Sequence, residues 1–202
     1  MKKNFAFLFD FGNVLVRWDM HNIFDAHFPS PAAVDAFLKE IRFFEWNALM
    51  DGGLPFSEGV ARASAQYPQY AHLFRLWDER WLETVREPIE GSVAIVRRLK
   101  RAGHPLYILS NVSHEKFPQA QQAHSFLALF DEIFMSSRLG VNKPAPQAYR
   151  LALQGMERPA DEVVFIDDAL PNVEAARGLG IASVHFQSPR QLEGELKQMG
   201  VL

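Results

Sequence analysis

Alternating strand and helix patterns predict an α/β fold built on a parallel sheet covered on both faces. Two observations carry this expectation. Five short apolar stretches have the length of strands: Phe5 to Phe9, Pro105 to Leu109, Glu132 to Met135, Val163 to Ile166 and Ala182 to Phe186. Between the later ones lie segments whose apolar residues recur at helical spacing.

The first run, Phe5-Ala6-Phe7-Leu8-Phe9, is too short for a helix and suits a strand buried on both faces. It ends on Asp10, with Gly12 two residues later. Ligands of open parallel sheets bind beyond the carboxyl ends of the strands, so Asp10 stands where chemistry would be done. Taken by itself, the same aspartate could merely end the strand and cap the next turn.

Roughly a hundred residues separate the first strand from the second, where one crossover needs about a dozen. The excess is itself helical. Ser30-Pro31 is a cap-and-start signal, followed by Val34, Phe37, Leu38, Ile41 and Phe44 at helical spacing. Asp51-Gly52-Gly53 forms a turn, and Ser57 is placed to cap a helix reaching Ala65. Leu73, Leu76, Trp77 and Trp81 make another apolar stripe. The expected organisation is a core of residues 1–16 and 87–202, with a helical cap subdomain, 17–86, inserted beside the end of the first strand. A segment inserted there can act as a lid.

The remaining helices alternate with strands. Ile95, Val96 and Leu99 precede Gly103, which is placed to end their helix. Ala148, Leu151 and Ala152 mark a helix before the fourth strand. Pro171 suits a first helical position, with Val173 and Ala176 following. Ser188-Pro189 starts the last helix, which carries Leu192, Leu196 and Met199.

Composition narrows the function classes. The 202 residues suffice for one domain with a modest insertion, and 48% apolar with 22% charged content is that of a globular protein. A net charge of -3 and the lack of a dense Lys/Arg run argue against nucleic acid or an anionic membrane as partner. Without cysteine there are neither disulfides nor thiolate metal sites. Met1-Lys2-Lys3 before an apolar run has the look of a secretory signal, but Asp10 interrupts it and no small-residue cleavage site follows. The expectation is a cytoplasmic protein, monomeric or homodimeric.

The other strand ends carry polar residues too. Ser110-Asn111 after the second strand offers donors to an anion, or alternatively a cap for the helix near His114. After the third comes Lys143-Pro144, where the proline holds the lysine off the following helix. The fourth ends on Asp167-Asp168, two carboxylates that are costly to crowd together unless a cation or donors sit between them. Their oxygens suit a hard ion such as Mg²⁺, while Asp168 could equally cap the helix at Pro171.

In that order, Asp10, Ser110-Asn111, Lys143-Pro144 and Asp167-Asp168 resemble the motifs of the haloacid dehalogenase-like hydrolase superfamily over nearly the whole chain. Asp10-Phe11-Gly12-Asn13-Val14 and Leu109-Ser110-Asn111 look most like the bacterial sugar-phosphate phosphatases related to alpha-glucose-1-phosphatase. The resemblance implies a Rossmann-like sheet of strand order 3-2-1-4-5 and a Mg²⁺-dependent phosphatase acting on a small phosphorylated metabolite. Asp10 would be the nucleophile, forming an aspartyl phosphate. Ser110 and the Asn111 N–H would hold the phosphoryl oxygens, with Lys143 neutralising them. Asp10, the Gly12 carbonyl and Asp168 would bind Mg²⁺, and Asp167 would be a further ligand or a partner behind them.

One departure matters. Phosphatases of this superfamily mostly carry a second aspartate two residues after the first, as acid and then base; here that position is Gly12. Losing such a group costs about a hundred- to ten-thousand-fold in rate. Either the leaving group is a good one, as an anomeric sugar hydroxyl is, or the cap supplies a substitute, with His21, Asp19 and Glu45 as candidates, or phosphate esters are not turned over. His27 matches no metal spacing, and Trp18, Trp46 and Trp81 could stack on a sugar or fill the cap core. Two rival readings follow: a metal-independent 2-haloacid dehalogenase, whose halide leaves without a proton, and a non-catalytic protein that binds a phosphometabolite.

Overall fold

The computed structural model describes residues 5–202; Met1-Lys2-Lys3, at the start of the expected 1–16 segment, lie outside the described residues. Five strands form one sheet: β1 (Ala6–Phe9), β2 (Leu106–Ser110), β3 (Glu132–Met135), β4 (Val163–Asp167) and β5 (Ala182–His185). Their order is β3-β2-β1-β4-β5 and every pairing is parallel. β1 is central, with Phe9 level with Ile108 on one side and Ile166 on the other. The chain winds outward from β1 in both directions, so a crevice opens where β1, β2 and β4 end.

Successive side chains of a strand point to opposite faces, and the core divides accordingly. Phe7 and Phe9 of β1, with Ile108 and Ile166, enter one apolar cluster. Ala6 and Leu8, with Leu109 and Phe165, enter the other. The first face is covered by α6 (Glu90–Arg101) and α11 (Pro189–Gln198), which contribute Val96, Leu99, Leu192 and Leu196. The second is covered by α9 (Pro146–Met156) and α10 (Leu170–Arg177), through Tyr149, Ala152 and Ala176. Burying an aromatic such as Phe9 contributes roughly 1.5–3 kcal/mol. Two short helices, α7 (Phe117–Ala123) and α8 (Ser136–Leu139), flank β3.

Between β1 and α6 lie five helices: α1 (His21–Phe24), α2 (Pro31–Glu40), α3 (Phe43–Asp51), α4 (Phe56–Gln66) and α5 (Ala71–Arg80). A 3₁₀ segment, Trp81–Val85, leads back toward the sheet. Their interior is aromatic. The Phe43 and Trp77 rings meet edge to face at 4.8 Å, and Phe24 stacks on Trp77 at 6.2 Å. Ser30 caps α2 as expected, accepting from the Ala33 N–H at 3.3 Å.

Three expectations are corrected here. The stripe from Val34 to Phe44 is not one helix: it breaks at Ile41-Arg42, where Arg42 takes a left-handed φ of 51°, and Phe44 beyond the break is exposed. Ser57 does not cap α4, because the helix already begins at Phe56 after Pro55. Met199 lies beyond α11 and is not part of the core.

The insertion is tied to the sheet on the side where the strands end. Asn142 Nδ2 donates to Ala48 O at 2.8 Å, and Ser136 Oγ donates to Asp51 O at 2.5 Å. Lys116 Nζ donates to Asp78 O at 2.6 Å and pairs with the Asp78 carboxylate. The turn after α3 needs glycine: Gly53 has φ 109°, and a Cβ there would lie 3.1 Å from Ser137 O. No helix among the described residues is long and apolar enough to cross a membrane.

Candidate active site

Asp10 follows directly on β1, and its backbone N–H donates to Ile166 O of β4 at 2.8 Å, which extends the ladder by one residue. Its Oδ1 accepts from the Phe11 N–H at 2.7 Å and lies 2.9 Å from Lys143 Nζ. Lys143 also donates to Asp167 Oδ2 at 2.6 Å. The lysine side chain is almost wholly buried, so two carboxylates are its counterions in a medium that screens little. Burial alone would push the Lys143 ammonium down; Asp10 and Asp167 outweigh it and hold the group charged, above its ordinary range.

Asp167 is fully occupied. Oδ1 accepts from the Ala169 N–H at 2.8 Å and from Asn172 Nδ2 at 3.0 Å, and Oδ2 accepts from Lys143. Three donors thus replace the water lost on burial. Asn111 acts on the same lysine from the other side, its amide bonded to both the N–H and the carbonyl of Lys143.

Asp168 faces the crevice. The ligand oxygens of Asp10, Asp167 and Asp168 lie within 4.8 Å of one another. Burial pushes the Asp10 carboxyl up to about 7, with Lys143 pulling down and Asp167 and Asp168 adding to the rise. Burial and the neighbouring Asp167 raise Asp168 too, partly offset by a hydrogen bond from Asn13. Asn13 sits at φ 55°, a left-handed conformation that Asn tolerates, and its Oδ1 accepts from the Trp18 N–H at 3.1 Å. One lysine facing three carboxylates leaves net negative charge in a poorly hydrated place. That donor set, hard oxygens within a few ångströms, fits a small divalent cation.

A cavity of about 300 Å³ opens over these groups. Asp10, Gly12, Ser110, Asn111, Lys143 and Asp168 all line it, from four separate strand ends. Asp167 lies beneath, behind Lys143. The far wall is built from the insertion: Trp18, Phe44, Asn47, Ala48, Asp51 and Trp81. Trp81 therefore belongs both to the buried core and to the cavity wall. Trp46 belongs to the core only, its Nε1 donating to Gly59 O at 2.9 Å.

The three residues expected to replace the missing acid are elsewhere. His21 is paired with Asp25 at 2.7 Å and Asp35 at 3.3 Å beside a separate surface cleft. Asp19 accepts from the His21 N–H at 2.9 Å, and Glu45 is exposed and paired with Arg42 at 3.0 Å. His27 does not line the cavity either. The chemistry-bearing residues not singled out from sequence are Asn13, Asn47, Asp51 and Asn172. Only Asn13 carried a signal, as part of the Asp10-to-Val14 run.

Fold and site together define a doubly wound α/β protein with an acidic crevice at its topological switch point. The chain belongs to the haloacid dehalogenase-like hydrolase family, whose model matches residues 6–180. It is 28% identical over 204 aligned residues to the drimenol cyclase drtB of Aspergillus calidoustus, covering 95% of this chain and 35% of that protein. It is 33% identical over 112 residues to the sesquiterpene phosphatase astK of Aspergillus oryzae, covering 55% of this chain and 57% of that one. The chain thus spans from about a third to somewhat over half the length of these curated relatives. Among solved structures, the HAD-hydrolase YfnB of Bacillus subtilis bound to magnesium superposes with TM-score 0.74 at 20% identity, over 97% of this chain and 100% of that one.

Proposed function

We propose that the protein is a Mg²⁺-dependent phosphomonoesterase acting on a small phosphorylated metabolite, a sugar phosphate being the class that suits the cavity. The single observation that supports this is the meeting of Asp10, Ser110, Lys143 and Asp168 on one cavity. A phosphate dianion and a carboxylate nucleophile repel one another, so the reaction needs positive charge at the point of approach.

Asp10 is the nucleophile. Its Oδ1 is engaged by the Phe11 N–H and Lys143, which leaves Oδ2 to reach phosphorus. Lys143 stays charged beside Asp10 and lowers the repulsion between nucleophile and phosphate. Ser110 and the Asn111 backbone orient the phosphoryl oxygens at the end of β2. Mg²⁺ held by Asp10, Asp168 and the Gly12 carbonyl would, when bound, offset the remaining negative charge of nucleophile and phosphate. Asp167 holds Lys143 in place rather than serving as a ligand, since its lone pairs are taken by three donors.

On the far wall, Trp18, Trp81 and Asn47 offer apolar and hydrogen-bonding contacts. That mixture matches a sugar ring, apolar on its faces and polar at its rim. Residues 17–86 serve as the cap that selects the substrate. Gly12 is the feature that favours a 2-haloacid dehalogenase, because halide leaves without a proton; the crowded carboxylates favour the metal-dependent reaction. Screening phosphorylated metabolites for phosphate release with and without Mg²⁺ tests the reading. Halide release from 2-chloropropionate in the presence of a chelator would overturn it in favour of the dehalogenase, and tight sugar-phosphate binding without turnover would make the protein a binder.

A further inference from the structure

The phosphatase reading leaves the departing alkoxide without a proton donor, since residue 12 is glycine. One carboxyl lies on the opposite wall of the same cavity. Asp51 is the last residue of α3 and lines the same cavity as Asp10. The electrostatics of the helix do not account for an acid at this place. A carboxylate is favoured at a helix N-terminus and disfavoured at a C-terminus, where the unpaired carbonyls already carry negative charge. The last turn of α3 holds no basic residue, and Lys143, the one cation lining the cavity among the described residues, is taken by Asp10 and Asp167.

The side chain is nevertheless fixed. Asn47, one turn earlier on α3, donates through Nδ2 to Asp51 Oδ2 at 2.8 Å. The backbone is pinned to the core by Ser136 Oγ at 2.5 Å, and the Gly53 N–H closes the turn onto Met50 O at 3.0 Å. The carboxyl is sunk in the protein yet partly open to the cavity. Burial, and then the charge of Asp10 across the cavity, hold it well above the ordinary carboxylate range. A carboxyl in such surroundings holds its proton more tightly than an ordinary one and can give it up to a developing alkoxide.

We propose that Asp51, delivered from the cap, is the catalytic acid and then base that the core lacks at position 12. The inference rests on the phosphatase reading. In the first step Asp10 Oδ2 forms a bond to phosphorus, the bond from phosphorus to the ester oxygen breaks, and Asp51 transfers its proton to that oxygen. The products are the alcohol, phosphorylated Asp10 and an Asp51 carboxylate. In the second step the Asp51 carboxylate takes a proton from water as the water oxygen bonds to phosphorus. The bond from phosphorus to Asp10 breaks, and phosphate leaves with Asp51 protonated again.

The test compares leaving groups. Nitrophenolate leaves without a proton; an alkoxide does not. In single turnovers, Asp51→Asn is expected to slow alcohol release from glycerol phosphate by about a hundred- to ten-thousand-fold. Nitrophenolate release from 4-nitrophenyl phosphate should change by less than about tenfold, with phosphorylated Asp10 then accumulating and visible by intact mass. Asparagine can still accept from Asn47, so the fold should survive. Equal losses with both substrates, or no loss with either, would overturn the assignment. A second measurement needs no variant: in the wild-type protein, glycerol phosphate turnover should fall on the basic side as Asp51 loses its proton, while first-turnover nitrophenolate release should not. Coincident profiles would also overturn it. If the wild-type protein releases neither leaving group, the phosphatase reading itself fails and takes this assignment with it.

Discussion

The Asn111 side chain and the Lys143 backbone are joined by two reciprocal hydrogen bonds, Asn111 Nδ2 to Lys143 O at 2.9 Å and Lys143 N–H to Asn111 Oδ1 at 2.8 Å. A side-chain amide here mimics a strand partner, and it sets where Lys143 enters the crevice. Asn111→Ala should leave the lysine charge in place but loosen its position, and a misplacement of about 1 Å can cost roughly a hundredfold. The expected result is a fall in kcat/KM of about ten- to a hundredfold, with weaker inhibition by inorganic phosphate. Unchanged phosphate inhibition would show that Lys143 does not need this support.

Asp10→Asn separates chemistry from stability. The amide oxygen can still accept from the Phe11 N–H, and one of three crowded carboxylates is neutralised. Phosphate release should fall by at least about ten-thousand-fold, while the melting temperature holds or rises. Lys143→Ala should do the opposite to the fold. It strands Asp10 and Asp167 without their counterion, and breaking a buried pair in this way costs about 3–5 kcal/mol. Urea denaturation of both variants checks the contrast, and a Lys143→Ala protein as stable as wild type would mean that the three carboxylates are neutralised by protons instead.

All five strands and their alternation with helices were readable in the sequence, because strands buried on both faces are continuous apolar runs. Asp10, Ser110, Lys143 and Asp168, which the sequence singles out, all line one cavity. The insertion was readable only as helix. Its stripe from Val34 to Phe44 conceals the break at Arg42, since a left-handed arginine has no sequence signature comparable to glycine. In sequence Asp51 reads as the first residue of an Asp-Gly-Gly turn, and locally that is sound. Its chemical character comes from burial and from Asp10 across the cavity, with Ser136 holding its backbone, and these meet it only in three dimensions. Asn172 is similar: nothing between Pro171 and Val173 announces an amide that holds both oxygens of Asp167.

His21 makes a different prediction, about stability and pH. Its hydrogen bond to Asp25 is the main influence raising it above its ordinary value of 6.5, with Asp35 and Asp19 helping and partial burial opposing. A group raised on folding contributes stability that is complete below its unfolded pKa and fades as pH rises through the folded one. The side chains are partly solvated, so the contribution is roughly 0–1 kcal/mol. His21→Asn should therefore be less stable than wild type below pH 6.5, with the deficit shrinking as pH rises above it. A deficit that grows with pH would show that the histidine acts through packing rather than charge.

Metal binding should be visible in the folding equilibrium itself, apart from any turnover. The oxygens of Asp10, Asp167 and Asp168 converge within 4.8 Å, and Lys143 pairs with the first two. A cation that binds this cluster only in the folded chain adds RT ln(1 + [L]/Kd), about 2.7 kcal/mol at a hundredfold excess over Kd. For a chain of 202 residues, that is a rise of about 5–10 °C in melting temperature. Asp168→Asn removes a ligand that faces the crevice and should abolish most of the rise, whereas His21→Asn, remote from the cluster, should leave it whole. Protons compete with the ion for the same oxygens, so the gain should also shrink toward about pH 5. The measurement is thermal denaturation with Mg²⁺ and with a chelator. An equal gain in Asp168→Asn and wild type would place the ion elsewhere, and no gain in either would leave Lys143 alone to balance the acidic crevice.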